Sequence, residues 1–354
     1  MRVALLMSHA DRSMAGALRD MHFMRFLARG GAEIAVFRMH PGREVESESF
    51  LDAEVPVTFA PSDNPEEIPH RQVSGALVEA VRGFAPDAIL FKGLSYRINA
   101  ALHAALRGAA ESATGPRIGF VVGGSVADPL LDRADFVFGE YQQQLSRHFP
   151  GFVARGAAFI MPKYVDLEAS RPERKPEPPL HDIVNVGGLH EKRKNQEDVV
   201  PFTDSWRVAL VGGGSPRKEV LTAVADPGRL TLTGRLQQPE VIALMKRCRI
   251  MVHTSRMDGL PRAVVEAMAC GLPVVVYRET VPGGFSEGQH GFMVGPHSLR
   301  PAVELLMRDE GLRRTMGARA RRHAETQHGL PALERAARAF LGFLAAAPAR
   351  LAPG

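Results

Sequence analysis

The sequence predicts an α/β protein made of two doubly wound domains. Three observations carry that prediction. Short apolar segments alternate with segments of helical period along most of the chain, a proline-rich stretch splits this series in two, and 354 residues are enough for two domains that each bury a core.

The first series opens with an apolar strand at residues 3–7. Leu18, Met21, Met24, Leu27 and Ala28 then recur at helical spacing until Gly30-Gly31 stop the helix, and a second strand starts at 33–37. Residues 74–83 and 99–106 read as helices. Residues 88–91, 118–122, 134–138 and 158–161 read as strands, and the strand at 118–122 ends in Gly123-Gly124. Between Leu167 and His181, four prolines and alternating charges leave no core-forming period, so this stretch reads as an interdomain linker. The second series places strands at 183–186, 207–211, 229–233, 250–254, 274–277 and 292–294. From Ser298 onward the chain reads as helical, ending in an amphipathic segment at 331–343.

Composition narrows the function classes. The net charge of +5 and a sequence pI near 9.5 favour anionic ligands. Acidic residues are interspersed with the basic ones, so no nucleic-acid stripe is expected. The two cysteines, Cys248 and Cys270, support neither a disulfide framework nor a zinc site, and no metal-ligand spacing stands out. The apolar run after Met1 is too short for a signal segment, and no stretch reaches the roughly 20 apolar residues a membrane helix needs. A cytoplasmic protein is expected. The Arg-rich segment 313–322 reads as a solvated helix face that is also compatible with peripheral contact at the inner face of a membrane.

The most informative stretch is residues 250–277, which reads as strand, turn, helix and strand. In the helix AVVEAMAC the only charge is Glu266, and a carboxylate on an apolar helix calls for a partner or a use. Eight residues earlier, Asp258 lies in the turn after a strand, the sheet edge where ligands bind in open parallel sheets. After the strand 183–186 comes the basic turn Gly187-Gly188-Leu189-His190-Glu191-Lys192-Arg193-Lys194. By the same rule it shares that edge, where clustered cations suit a di- or triphosphate. Taken singly, each feature has an ordinary reading as a polar loop or a helix start, and the convergence of acids and cations favours a site. Two rival motifs are weaker. Gly212-Gly213-Gly214 opens like a dinucleotide fingerprint but has Arg217 where the third glycine belongs. Gly123-Gly124-Ser125-Val126-Ala127 approximates a hydrolase nucleophile elbow but lacks its last glycine.

The run DGLPRAVVEAMACGLPVVV resembles the signature of GT-B-fold glycosyltransferases of the GT4 type (glycosyltransferase group 1), a Glu-x7-Glu motif followed by Ala-Met-Ala-x-Gly-x-Pro-Val-Val. The segments VGGLHEKRKN, VALVGGGSPRKEVL and LTLTGRL are similar to the family's phosphate loop, glycine-rich turn and base-proximal turn. The resemblance implies two Rossmann-like domains facing a central cleft. An acceptor-side domain would span 1–166, a linker 167–182, and a donor-side domain 183–330, with a helix and tail at 331–354 open to packing back on either domain, the N-terminal one included. It implies a retaining transferase that moves a sugar from a nucleoside-diphosphate sugar, of UDP or GDP type, to an acceptor that is a glycan, a lipid-linked sugar or a small molecule. No tightly bound cofactor is implied.

Carried over by position, Glu266 would hold the ribose hydroxyls, Asp258 the donor sugar, and Lys194 the diphosphate. Arg193 and the turn Gly259, Leu260, Pro261 and Arg262 would assist, with Gly234 and Leu236 at the base. Glu266 is expected to face Lys194 across a crevice. On the acceptor side the resemblance reaches Ala15, Gly16, Gly123, Gly124 and Ser125. Two departures stand out: Gly188 replaces the family's phosphate-binding Arg, and the His that many relatives present after an N-domain strand is missing. They motivate an alternative, a catalytically impaired GT-B-like nucleotide-binding or assembly protein.

Overall fold

The computed structural model describes residues 1–346 except 12, 13, 15, 109–114, 124–126, 174–176, 257 and 280–284. The chain divides into two compact units, residues 1–164 with 330–354, and residues 165–329.

The first unit runs β1 (Arg2–Met7), α1 (Leu18–Arg29), β2 (Glu33–His40), β3 (Glu46–Phe50), β4 (Val55–Pro61), α2 (Gly75–Phe84), β5 (Ala88–Lys92), α3 (Arg97–Arg107), β6 (Arg117–Val121), β7 (Phe136–Gly139), α4 (Gln142–His148), α5 (Pro150–Ala154) and β8 (Ala158–Ile160). Among the described residues its eight strands lie in the order β3-β4-β2-β1-β5-β6-β7-β8. All pairs are parallel except β3 with β4. The central strands are buried on both faces, which is why they read as continuous apolar runs. β3, with sequence ESESF, is exposed over its first four residues and offers a single apolar residue, Phe50, too little for sequence patterning to register.

The second unit holds β9 (Ile183–Val186), β10 (Val208–Val211), α6 (Lys218–Thr222), β11 (Leu230–Leu232), α7 (Gln238–Lys246), β12 (Ile250–His253), α8 (Arg262–Ala269), β13 (Val274–Tyr277), β14 (Gly291–Val294), α9 (Pro296–Arg308) and α10 (Glu310–Gln327). Among the described residues its six strands, in the order β11-β10-β9-β12-β13-β14, are all parallel. The last helix, α11 (Leu330–Ala346), belongs to the first unit. There Phe340 packs among Phe23, Phe136, Phe138 and Phe159, with ring centroids 4.7–6.4 Å apart, so burial of aromatic surface accounts for its placement. Among the described residues no helix is long and apolar enough to cross a membrane.

Residues 165–182, most of which the prolines mark as linker, lie within the second unit. Arg321 of α10 anchors their first part, and Arg247 holds the Pro178 carbonyl further on. The Arg321 guanidinium donates to the carbonyls of Leu167 (3.0 Å), Ser170 (3.2 Å) and Ala269 (2.6 Å) and pairs with Glu325. Replacing Arg321 by methionine keeps the apolar stem but leaves these three carbonyls without their donor. The expected cost is about 3 kcal/mol, the scale for losing charge-assisted hydrogen bonds. The sole tryptophan, Trp206, reports from the same unit. An unchanged urea midpoint followed by its fluorescence would contradict this role.

Candidate active site

In the second unit the chain builds outward from β9 to β10 and β11 on one side, then starts again at β12 on the other. The β9/β12 junction is therefore the topological switch point, and the turns leaving both strands lie at the C-terminal sheet edge. The turn after β9 passes through Gly187 and Gly188, buries Leu189, and tightens into a single 3-10 turn over Lys192–Lys194 ending at Asn195, whose φ is 45°. The segment after β12 clamps it. Thr254 Oγ1 lies 2.8 Å from the Lys194 carbonyl and 2.9 Å from that of Asn195. The Asn195 amide donates to the Thr254 carbonyl (3.0 Å), and Arg256 N–H to the Arg193 carbonyl (3.2 Å). These bonds fix where the Arg193 and Lys194 side chains begin.

Those two cations converge on Asp258. One carboxylate oxygen pairs with Arg193; the other accepts from Lys194 Nζ (2.7 Å) and from His253 Nε2 (3.0 Å). Burial opposes the charge on Asp258, yet the bonds from His253 and Lys194 outweigh it and hold the carboxyl well below the usual carboxylate range. His253, 2% exposed at the end of β12, is pushed the other way by burial, toward the neutral ring. An ionised carboxylate only accepts, so Nε2 carries the proton of that neutral ring. Arg193 is also paired with Glu191, whose side chain folds back over Gly188: a Cβ added at Gly188 would overlap the Glu191 carboxylate. The space above the position matching the family's Arg is thus taken by an acid.

Glu266, on α8, is 4% exposed and accepts from Gln238 Nε2 (2.9 Å) at the start of α7. Burial raises its pKa, opposed by that hydrogen bond and by the Arg262 charge. Its hydrogen-bond partner is thus Gln238, whereas Lys194 pairs with Asp258. Gln238 stands two residues past Leu236 in the turn from β11, which also carries Gly234 at φ 69°. Gly259 and Leu260 lead to Pro261, the N-cap of α8, with Leu260 3% exposed. The triglycine after β10 serves close packing: a Cβ at Gly212 would overlap the Gly187 carbonyl and one at Gly214 the His190 ring. That steric demand accounts for a dinucleotide-like run without its third glycine.

In the first unit, Gly16 lines a cavity described below, and the Gly123 carbonyl accepts from Gln144 Nε2 (2.5 Å). Ala15, Gly124 and Ser125 lie outside the described residues. The sequence reading does not single out His253, Gln238, Glu191 or Lys92. His253 and Lys92 end buried strands and carry the same signal that exposed Asp258, a polar residue at a parallel strand's C-terminal end. Gln238 is marked only by the partner it meets in three dimensions.

Two Rossmann-like units of this kind form the GT-B fold, the fold of a large class of glycosyltransferases. Residues 181–309 match the family model described as "Glycosyl transferases group 1". Among curated proteins the chain is similar to an uncharacterized glycosyltransferase of Methanocaldococcus jannaschii, 32% identical over 117 residues, 30% of this chain and 32% of the relative. It is also similar to the sulfoquinovosyl transferase SQD2 of Arabidopsis thaliana, 30% identical over 161 residues, 43% of this chain and 31% of the relative. The chain thus spans about a third of the length of these curated relatives. Among solved structures, sucrose-phosphate synthase from Thermosynechococcus elongatus aligns over 98% of this chain and 100% of its own, with TM-score 0.73 at 16% identity. Anabaena HepE in complex with UDP aligns over 97% and 100%, with TM-score 0.67 at 15% identity.

Proposed function

We propose that the protein is a retaining glycosyltransferase of the GT4 type that transfers a sugar from a nucleoside-diphosphate sugar of UDP or GDP type. The observation that carries this reading is the convergence of Lys194, Arg193 and Asp258 at the switch point of a unit whose sequence matches the group 1 model. HepE, a neighbour of the same fold, has been solved with UDP and with UDP-glucose.

Lys194 and Arg193 hold the diphosphate, and the N-terminal amides of α8, opened by Gly259, Leu260, Pro261 and Arg262, add their dipole. Gly188 leaves the room that Glu191 fills, so Arg193 supplies the cation that position 188 lacks. Glu266 accepts from the ribose hydroxyls with Gln238 beside it, and the backbone at Gly234 and Leu236 meets the base. Donor phosphates and Asp258 compete for the same two cations. As the phosphates take Lys194 and Arg193, Asp258 stays bonded to His253 and turns its free oxygen to the sugar hydroxyls. The cations then neutralise the charge that grows on the departing diphosphate, and a donor phosphate oxygen takes the acceptor proton.

Thermal-shift measurements with UDP, GDP and their sugars test the donor half. Wild type is expected to be stabilised by about 2.7 kcal/mol at a ligand concentration 100 times Kd, and Glu266→Ala to lose most of that gain. No ligand-dependent shift in wild type sinks the reading. The anomeric configuration of the product, read by NMR, decides retention: inversion would overturn that part.

A further inference from the structure

The first unit has its own switch point. The chain passes outward from β1 to β2 and β4, then returns to β5 on the other side of β1. At the C-terminal edge of these strands lies a cavity of about 290 Å³ lined, among the described residues, by Met7, His9, Asp11, Gly16, Arg38 and Lys92, together with Ala17. Its volume sits at the small end of ligand pockets, the size for a compact polar group.

Three of the charged residues at this cavity, Lys92, Arg38 and Asp11, belong to ion pairs, and Lys92 leads into a network of buried carboxylates. Asp20, 1% exposed, pairs with Lys92 (2.5 Å) and Arg19 (2.9 Å). Burial works against its ionised form, but Arg19 and Lys92 outweigh burial and hold its carboxyl at about 2, so it stays an anion at any physiological pH. Arg19 lies 3.9 Å from Glu140, which also pairs with Lys163. Arg38, its side chain 7% exposed, donates to the His9 carbonyl (3.1 Å) and pairs with Asp11 (3.3 Å), whose own side chain is 46% exposed. Among the described residues, the cations Lys92, Arg19, Lys163 and Arg38 face the carboxylates Asp20, Glu140 and Asp11.

Buried ion pairs add little net stability, so a chain of them at a sheet's ligand edge calls for another use. Lys92 shows what that use is. Its ammonium has three donors, and its one hydrogen-bond acceptor among the described residues is Asp20. Asp20 therefore fixes the lysine at the cavity wall while the remaining N–H groups are available to a ligand. Arg38 is fixed on the opposite strand by the His9 carbonyl, and its exposed partner Asp11 is the carboxylate a ligand anion replaces most easily. The uncapped start of α1 at Ala17 adds its dipole to the same side.

We infer that this cavity binds an anionic oxygen group, a phosphate or a carboxylate, carried by the sugar acceptor, with Lys92 and Arg38 as its two cationic contacts. The assignment of that ligand as the acceptor rests on the transferase reading, whereas anion binding by the cavity does not.

The test uses the full chain and isothermal titration with glycerol 3-phosphate, glucuronate and neutral glycerol. The expected result is saturable binding of at least one anion and none of glycerol, weakened at least about tenfold by Lys92→Met and by Arg38→Gln. Because Lys92→Met strands the Asp20 carboxylate, the double variant Asp20→Asn with Lys92→Met removes both charges and is expected to show the same loss. No anion binding in wild type, or binding that survives all three variants, overturns the site. Cosedimentation with phosphatidylglycerol vesicles that Lys92→Met abolishes would assign the anion to a lipid headgroup. Binding confined to the soluble esters would assign it to a free metabolite. The nucleotide arm is separate: Lys92→Met is expected to keep the thermal shift with UDP or GDP that Glu266→Ala loses. Anion binding without any nucleotide shift would keep the cavity and remove the transferase. In transfer assays, Lys92→Met should raise KM for a charged acceptor and leave KM for the donor unchanged.

Discussion

Lys194→Ala is expected to lower the single-turnover transfer rate by about 10²-fold or more at saturating donor, the scale for removing one charge-stabilising group from a developing anion. The structure adds a reason why neighbouring cations do not compensate. The Lys194 stem runs over Gly187, where an added Cβ would come within 3.0 Å of its Cδ, so its ammonium reaches the switch point along a path set by the glycine turn. Arg193 is already shared between Glu191 and Asp258. Without Lys194, Asp258 keeps Arg193 and His253 as partners, so the fold is expected to survive and the loss to appear in the rate. A rate equal to wild type would remove Lys194 from the reaction. If the two cations hold a diphosphate as proposed, transfer by the intact protein should also weaken with salt, which screens that attraction.

Glu266→Gln is expected to stabilise the ligand-free protein at neutral pH while removing most of its response to nucleotide. Burial raises the Glu266 pKa above its unfolded value, so the folded state takes up this proton more readily than the unfolded state. The sign follows: as pH rises through the window between the unfolded and the raised folded value, wild type loses stability, and above it the full penalty of a buried carboxylate remains. Glutamine keeps an acceptor oxygen for Gln238 and carries no charge. The variant should therefore melt higher than wild type at pH 7 to 8, with the gap closing below the ordinary carboxylate range near pH 4. The stabilisation of about 2.7 kcal/mol expected of wild type at 100 times Kd of nucleotide should largely vanish in it. Melting curves across pH, with and without UDP or GDP, decide both halves. A variant less stable than wild type at pH 8 would mean that the carboxylate contributes to the fold rather than waiting for a ligand.

Much of the architecture is legible in the chain because its parallel strands are buried on both faces and hence continuously apolar. Residues 183–186, 250–254 and 274–277 match observed strands to within one residue for this reason. The strand β3 is silent because the first four residues of ESESF are exposed and only Phe50 at its end packs against the core. The charged turn after β9 and the acid after β12 are also legible, since the rule that ligands meet the C-terminal edge of parallel strands turns a position in sequence into a position in space. Their pairing is not legible in the same way. Sixty-four residues separate Lys194 from Asp258, and twenty-eight separate Gln238 from Glu266. No local period encodes contacts of that reach.

The sequence by itself determined the two doubly wound units, the resemblance to a glycosyltransferase family, and the single acid on an apolar helix, because each is written in local patterning. Only the tertiary structure decided how those charges are spent. It gave Asp258 both cations and His253, gave Glu266 to Gln238, laid Glu191 over Gly188, and set Lys92 and Arg38 around one cavity. The physical reason is that the strength and sign of an electrostatic interaction depend on distance and burial, which arise when strands far apart in the chain become neighbours in a sheet.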